Sequence, residues 1–374
     1  MTLSADQHTP LAPHALTHRE PLDPIRLHRA KKAYTTRFLA DRLADDPRGY
    51  TLVSGPGVVP SPGDVVLARV EELGKHTRLE SPHSRRQTLF TGDEILVAYG
   101  HRYAPDQFEA EVPSDLREAH LVAAGGLTGL VTAQHARIDA PTVVQPLGLV
   151  ADGAGVLTLQ RLAPHRPTAL PDRVAERLPA GRPTVIAVLG TSMNSGKSTT
   201  LGCLVRGLSY AGLRVAAGKA TGTGAGGDPR LYADAGATKV LDFTDFGHPS
   251  TFRLPYEQVR SVLVSLIDEL SDAGTDVVVV EIADGVYQGE TARLLADPVF
   301  RAAVDRVVFA ASDALGATAG VRLLQSLDVG VAAVSGVLTS SPLGAREART
   351  ALSVPVIDTY ALTEPEVAQS LMAG

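Results

Sequence analysis

Near the middle of the chain stands a run of residues suited to holding phosphate: Val185-Ile186-Ala187-Val188-Leu189-Gly190-Thr191-Ser192-Met193-Asn194-Ser195-Gly196-Lys197-Ser198-Thr199-Thr200. An apolar strand runs into a glycine-bounded loop, and a helix follows. The N–H groups of such a loop, with the helix N-terminus, form a cradle for anions. Gly196 permits close approach of the backbone to phosphate, Lys197 brings a point charge to the terminal phosphates, and Ser198 can offer its hydroxyl to Mg²⁺. The candidate nucleotide-binding residues are Gly190, Thr191, Asn194, Ser195, Gly196, Lys197, Ser198 and Thr199. Together they predict a bound nucleoside triphosphate, ATP with Mg²⁺, in the C-terminal half.

Further groups can serve the same chemistry. Four consecutive valines end in Glu281, and the C-terminal edge of a buried strand is where α/β proteins bind ligands. Glu281 is therefore either a metal ligand, direct or through water, or a solvated strand-end carboxylate. Lys219 closes another apolar run and is followed by Ala220-Thr221-Gly222-Thr223-Gly224-Ala225-Gly226-Gly227-Asp228. Its ammonium can neutralise charge on a transferred phosphoryl group, so Lys197 and Lys219 are the candidate catalytic cations. The glycine run reads as a mobile or ligand-hugging loop. Asp228 completes a candidate metal shell with Ser198 and Glu281, and Asp242 and Asp245 are rival carboxylates. The loop 284–291 lies where a second substrate would meet the terminal phosphate, with Tyr287 and Gln288 as its contacts.

The elements that must position these groups follow an alternating order. Strands are expected at 184–189, 214–217, 276–280, 306–311 and 331–338. Helices are expected at 198–211, 256–273, 291–295 and 316–327. Apolar strands with helices between them mean a parallel sheet covered on both faces. The sequence before residue 165 reads differently. Lys31 to Asp45 predicts a helix, since Tyr34, Phe38, Leu39 and Leu43 recur at helical spacing. Short β runs then follow Gly63-Asp64 and Gly92-Asp93, and the repeated Gly-Asp suggests a small barrel or sandwich. Residues 1–30 are expected to be loosely attached. The stretch 163–183 carries five prolines and a short helical piece around 174–178, and reads as a connector. The division is thus a β-rich domain over 1–165 and a P-loop α/β domain over 184–374.

Composition bounds the function. A net charge of −6 argues against a nucleic-acid binder. No run reaches the roughly 18 apolar residues of a membrane span, and the polar first residues lack a signal-peptide core. The single cysteine, Cys203, cannot pair within the chain. A cytoplasmic protein is expected, with neither nucleic acid nor membrane as partner. His76, His83, His101, His120 and His135 show no metal-ligand spacing, and Lys75, Arg78, Arg85 and Arg86 read as a solvated basic face.

The phosphate loop departs from G-x-x-x-x-G-K-[ST], because Thr191 stands where the first glycine would be and Gly190 comes one residue earlier. This longer form resembles the P-loop branch of dethiobiotin synthetase and the cobyrinic and cobyric acid synthases. The resemblance extends over 184–360: Lys219 matches a lysine after the second strand, and Glu281 a glutamate at a later strand end. Thr339-Ser340 replace an adenine-reading asparagine. The resemblance implies an ATP- and Mg²⁺-dependent ligase or kinase, acting as a homodimer on a small-molecule substrate whose carboxylate or similar oxyanion it phosphorylates. Two other readings stay open. One is an NTPase switch acting in assembly or delivery through a partner protein. The other is a transferase whose P-loop holds another phosphorylated ligand.

Overall fold

The computed structural model describes residues 17–169 and 182–372. The tail before residue 17 and the helical piece expected around 174–178 lie outside the described residues.

Six parallel strands make the sheet of the C-terminal unit. Their spatial order is Lys239–Asp242, Val215–Lys219, Val277–Glu281, Thr184–Gly190, Arg306–Ala310, Val331–Ser335. Val277 to Val280 are wholly buried, as strands covered on both faces must be. Alternation along the strand Thr184–Gly190 shows the two layers. Val185, Ala187 and Leu189 pack with the helices Tyr256–Leu270, Gly289–Ala296 and Ala314–Ser326. Ile186 and Val188 pack with Lys197–Tyr210, Gly227–Ala235 and Pro365–Ser370. Buried Cys203 belongs to that second layer.

The N-terminal unit is β-rich. The strands Val65–Glu72, Glu94–Tyr99, Leu127–Gln134, Ala119–Ala123 and Thr142–Asp152 pair in succession, and the last pairs back onto the first, closing a ring. Gly63 and Gly92, ahead of two of these strands, hold φ of 93° and 89°, a left-handed conformation that glycine takes without steric cost. The α/β fold with a parallel sheet, preceded by a β-rich region, is as the sequence predicts. Among the described residues no helix is long and apolar enough to cross a membrane.

Several elements differ from expectation. The helix expected from Lys31 begins only at Arg37 and runs to Asp45, because Lys31–Lys32 pairs as a strand with Ile95 and Leu96. Residues 18–29 are not loose. His18–Pro21 pairs with Thr51–Ser54, and the helix Pro24–Arg29 is capped by Asp23 and held through Arg26 to Glu94 at 2.7 Å. The run after Lys219 is not simply a loop, since its last glycine opens the helix Gly227–Ala235 with Asp228 in the first turn. The strand Val215–Lys219 does not lie beside the P-loop strand. Val277–Glu281 stands between them, so Lys219 is the register partner of Glu281.

Candidate functional site

The phosphate loop leaves the C-terminal edge of Thr184–Gly190 and turns into the helix Lys197–Tyr210. Asn194 and Gly196 hold φ of 61° and 95°, the kind of turn that aims successive N–H groups into one concavity. Among the described residues, the N–H groups from Asn194 to Thr199 have no hydrogen-bond partner. Close packing explains both glycines. A Cβ on Gly190 would stand 2.3 Å from Ser195 Oγ and 2.8 Å from Lys197 Cγ, and one on Gly196 would stand 3.0 Å from Val337 N. Gly190 thus makes room for the lysine stem, although it sits one residue earlier than the common spacing places it. Thr191 N donates to Ala310 O at 3.0 Å, and Val337 N to Ser195 O at 3.0 Å, tying the loop to the neighbouring strand ends.

Asn194, Gly196, Lys197, Ser198 and Thr199 line a cavity of about 440 Å³ with Lys219, Asp228, Glu281 and Asp284. Gly190, Thr191 and Ser195 do not line it but support the loop. The hydroxyls of Thr191, Ser195 and nearby Thr200 are buried without a partner among the described residues. Lys197 is 6 % exposed and its Nζ donates to Ser192 O at 2.8 Å. Burial pulls its ammonium below the ordinary lysine value, against the attraction of Glu281. Free N–H groups, a buried lysine and orphaned hydroxyls fit a phosphate chain. A larger cavity of about 590 Å³, holding Arg166, His248 and Gln258, has no such loop.

The acidic side of the cavity is a closed network. Lys219 Nζ pairs with Asp228 and lies 3.3 Å from Glu281. Tyr232, wholly buried one helical turn after Asp228, donates its hydroxyl to Glu281. Ser198 hydrogen-bonds Asp228. Burial disfavours the Lys219 ammonium, but Asp228 and Glu281 outweigh it and hold the group protonated above its ordinary value. Burial likewise opposes the Asp228 carboxylate, and Lys219 with Ser198 brings it below the ordinary value. Ser198, Asp228 and Glu281 offer the oxygen donors that Mg²⁺ takes. Among the described residues no group of three or more His, Cys, Asp or Glu is placed to hold a metal, so phosphate oxygens and water would have to complete such a shell. The rival carboxylates are used elsewhere. Asp242 accepts from Tyr34 Oη at 2.9 Å and from Thr244 N, and Asp245 pairs with Arg37 at 2.7 Å. Both join the two units.

Some functional groups escape sequence reasoning. Tyr232 has the four-residue spacing from Asp228 that a helix would bring together, but the helix start at Gly-Gly-Asp-Pro hides it. Asp284 sits in a loop the sequence singles out, and burial raises its carboxyl above the ordinary value. Asp106 of the β-rich unit, which accepts from Asn194 Nδ2 at 2.8 Å, carries no sequence signal at all.

No protein-family model matches the chain, and no curated protein matches it. Solved structures similar to it include the signal recognition particle receptor FtsY from Elizabethkingia anophelis in complex with GDP. Identity is 17 %, covering 58 % of this chain and 69 % of that one, with a TM-score of 0.36. Chloroplast FtsY from Physcomitrella patens is 17 % identical over 57 % of this chain and 71 % of its own, with a TM-score of 0.35. Signal recognition particle 54 kDa protein from Aeropyrum pernix K1, in complex with GDP, is 21 % identical over 54 % of this chain and 49 % of its own, with a TM-score of 0.33.

Two expectations are corrected here. The ATP-dependent ligase or kinase gives way; the similar structures are a signal recognition particle protein, a receptor of that particle and a chloroplast FtsY, two of them in complex with GDP. The partner set of a small-molecule substrate and a second copy of the chain falls with it. The site offers a physical reason as well. Gln288 and Tyr287, the expected substrate contacts, do not line the cavity. Gln288 Oε1 caps the helix Gly289–Ala296 by accepting from Thr291 N at 2.9 Å, and Tyr287 stands out in solvent.

Proposed function

We propose that this chain is a P-loop NTPase switch whose bound nucleotide governs its association with a partner protein. One observation carries the reading: the residues around the phosphates are held by the β-rich unit. The glycine stretch between Lys219 and Asp228 is pressed against that unit, where Gly226 N donates to Glu80 Oε2 at 3.0 Å. A Cβ on Gly125 would stand only 2.0 Å from Gly224 O. A change at the phosphates therefore reaches the β-rich surface by backbone contact, without a long relay.

In this reading the N–H groups of 194–199 and Lys197 bind the phosphates. Ser198, with Asp228 and Glu281, would hold Mg²⁺, which supplies charge neutralisation between phosphate oxygens. Lys219 keeps the two carboxylates apart and paired. We retain Gly190, Thr191 and Ser195 as supports of the loop and Lys219 as a cation of the site. Guanine and adenine nucleotides are both to be tested. Where the base-reading asparagine of the resembling family would stand, Thr339 donates to Gly336 O at 2.8 Å and is 3.1 Å from Thr359 Oγ1.

The test is thermal stabilisation and hydrogen exchange with di- and triphosphates. Wild type should be stabilised by nucleotide with Mg²⁺, and Lys197→Ala should lose that stabilisation while staying folded. Exchange over 221–228 should differ between the two nucleotide states. Identical exchange in the free, diphosphate and triphosphate forms would rule out a switch.

A further inference from the structure

The P-loop unit makes the lining of the nucleotide cavity, but a hairpin of the β-rich unit is hydrogen-bonded to that lining from outside. The strand Arg102–Tyr103 pairs antiparallel with Phe108–Glu111. A tight turn joins them, closed by Gln107 N donating to Ala104 O at 2.8 Å. This hairpin belongs to the β-rich unit but docks on the other. Tyr103 packs on Phe252 at 5.5 Å between ring centroids, and Glu111 pairs with Arg253 at 2.8 Å. From its turn, Asp106 Oδ2 takes a hydrogen bond from Asn194 Nδ2 at 2.8 Å. Asn194 holds φ of 61°, a left-handed conformation that Asn takes more readily than most residues with a side chain. The other oxygen of Asp106 is buried and has no partner among the described residues.

Arg102 is the stranger residue. It is 6 % exposed, and Nη2 donates to Gln107 Oε1 at 3.0 Å. Its Nε is buried without a partner, and among the described residues no carboxylate lies within ion-pairing distance. Asp284 and Asp106 are close enough only to act through space, and burial prevails, pulling the guanidinium down to about 10. A buried charge left without a direct counter-ion is costly, so a second ligand for it is to be expected. The charge balance of the cavity points to which. Lys197 and Lys219 face Asp228, Glu281 and Asp284, and Lys219 is already committed to the first two carboxylates. Lys197 alone is then left for the several negative charges of a triphosphate. Among the described residues Asp284 has no hydrogen-bond donor, and it feels both lysines together with Arg102.

We infer that Arg102 and Asp106 are positioning residues of the nucleotide site: Asp106 fixes the phosphate loop through Asn194, while Arg102, from behind the cavity lining, offsets Asp284 and so favours triphosphate over diphosphate. Through this hairpin the β-rich unit registers the terminal phosphate. The inference rests on the nucleotide-switch reading, and its test separates the two.

The experiment is equilibrium binding of GTP, GDP, ATP and ADP, with Mg²⁺, to full-length wild type and variants, beside the melting temperature without nucleotide. Arg102→Gln should weaken triphosphate binding about 10- to 100-fold, as loss of one charged contact does, and diphosphate binding less than about threefold. Arg102→Lys should restore part of the difference. Asp106→Ala should weaken both nucleotides by a similar factor, since the loop serves both. Asp284→Asn should raise triphosphate affinity and shrink the effect of Arg102→Gln, which makes the inference testable even if Arg102→Gln alone folds poorly. The ratio of triphosphate to diphosphate affinity is the deciding quantity, because general damage would lower both. If wild type binds nucleotide while the ratio stays unchanged in Arg102→Gln and Asp284→Asn, the inference is overturned and the switch reading stands. If wild type binds none of the four nucleotides, both are overturned.

Discussion

At the scale of single residues, the site turns on Lys219. Its ammonium stands between two carboxylates, and Glu281 is only 1 % exposed. Buried charges hold each other at the cost of their hydration, so removing one partner of such a pair typically costs about 3–5 kcal/mol. Lys219→Met should therefore destabilise the protein by that amount, measured by denaturant unfolding. Combining it with Glu281→Gln should recover part of the loss, since fewer uncompensated charges then stay buried. A stability unchanged in Lys219→Met would show that the network relaxes into solvent and that Lys219 is an ordinary surface cation. The same variant separates structure from catalysis. If nucleotide hydrolysis is measurable, loss of a transition-state cation would lower kcat about 10²–10³-fold, a larger change than the loss in ground-state affinity.

At the scale of elements, the notable fact is how little space separates the loop after Lys219 from the β-rich unit. Gly125 and Gly224 meet backbone to backbone. Thr35 N also donates to Gly125 O at 3.0 Å, and Gly224 N donates to Pro249 O at 2.9 Å. Backbone cannot step aside as a side chain can. Gly125→Ala should thus force the elements apart, at about 1–3 kcal/mol for overpacking. It should speed hydrogen exchange over 222–228 while leaving that of the helix Tyr256–Leu270 unaltered. Uniform exchange across both segments would place the strain elsewhere. Gly202, on the outer helix, is a useful control, because the nearest atoms to its added Cβ are the flexible end of Leu231 at 3.1 Å.

For the whole molecule, we propose two folding units, 1–165 and 184–374, joined by the proline-rich stretch. Limited proteolysis should cut first in the N-terminal tail or in 163–183, where the five prolines stand. The contacts of Tyr34, Arg37, Glu80 and Asp106 with the second unit should keep the pieces associated after a cut. Acid should loosen the whole. His76 and His248 are pushed by burial down to about 4, and His248 Nδ1 is buried without a partner. Both are neutral in the folded chain at pH 5, whereas in the unfolded chain they are largely protonated. The unfolded state thus binds more protons between about pH 6.5 and 4. Stability is greatest above about pH 6.5 and falls as the pH drops toward 4, by at most about 3 kcal/mol for each imidazole. His248→Phe should flatten the fall of melting temperature between pH 6.5 and 5. An unchanged slope would mean that carboxylates govern acid unfolding.

The chain order of residue types was enough to determine the phosphate loop, the parallel sheet and the β-rich start. These rest on local rules. A glycine-bounded turn with Lys197 and Ser198 needs only its own strand and helix, and four valines in a row are stable only where both faces are covered. Lys219 and Glu281 were legible as strand-end charges for the same reason. What the sequence could not give was contact across long separations. The order of strands decides that Lys219 lies beside Glu281 and not beside the P-loop strand, and no periodicity encodes that order. Asp242 and Asp245 look like metal ligands until Tyr34 and Arg37, more than two hundred residues earlier, are seen to hold them. Asp106 reaches the phosphate loop, and Arg102 comes near Asp284, only because one hairpin of the β-rich unit docks on the second unit. Tertiary packing decided these placements because the energy of a buried charge depends on its neighbours in space, and those neighbours come from both ends of the chain.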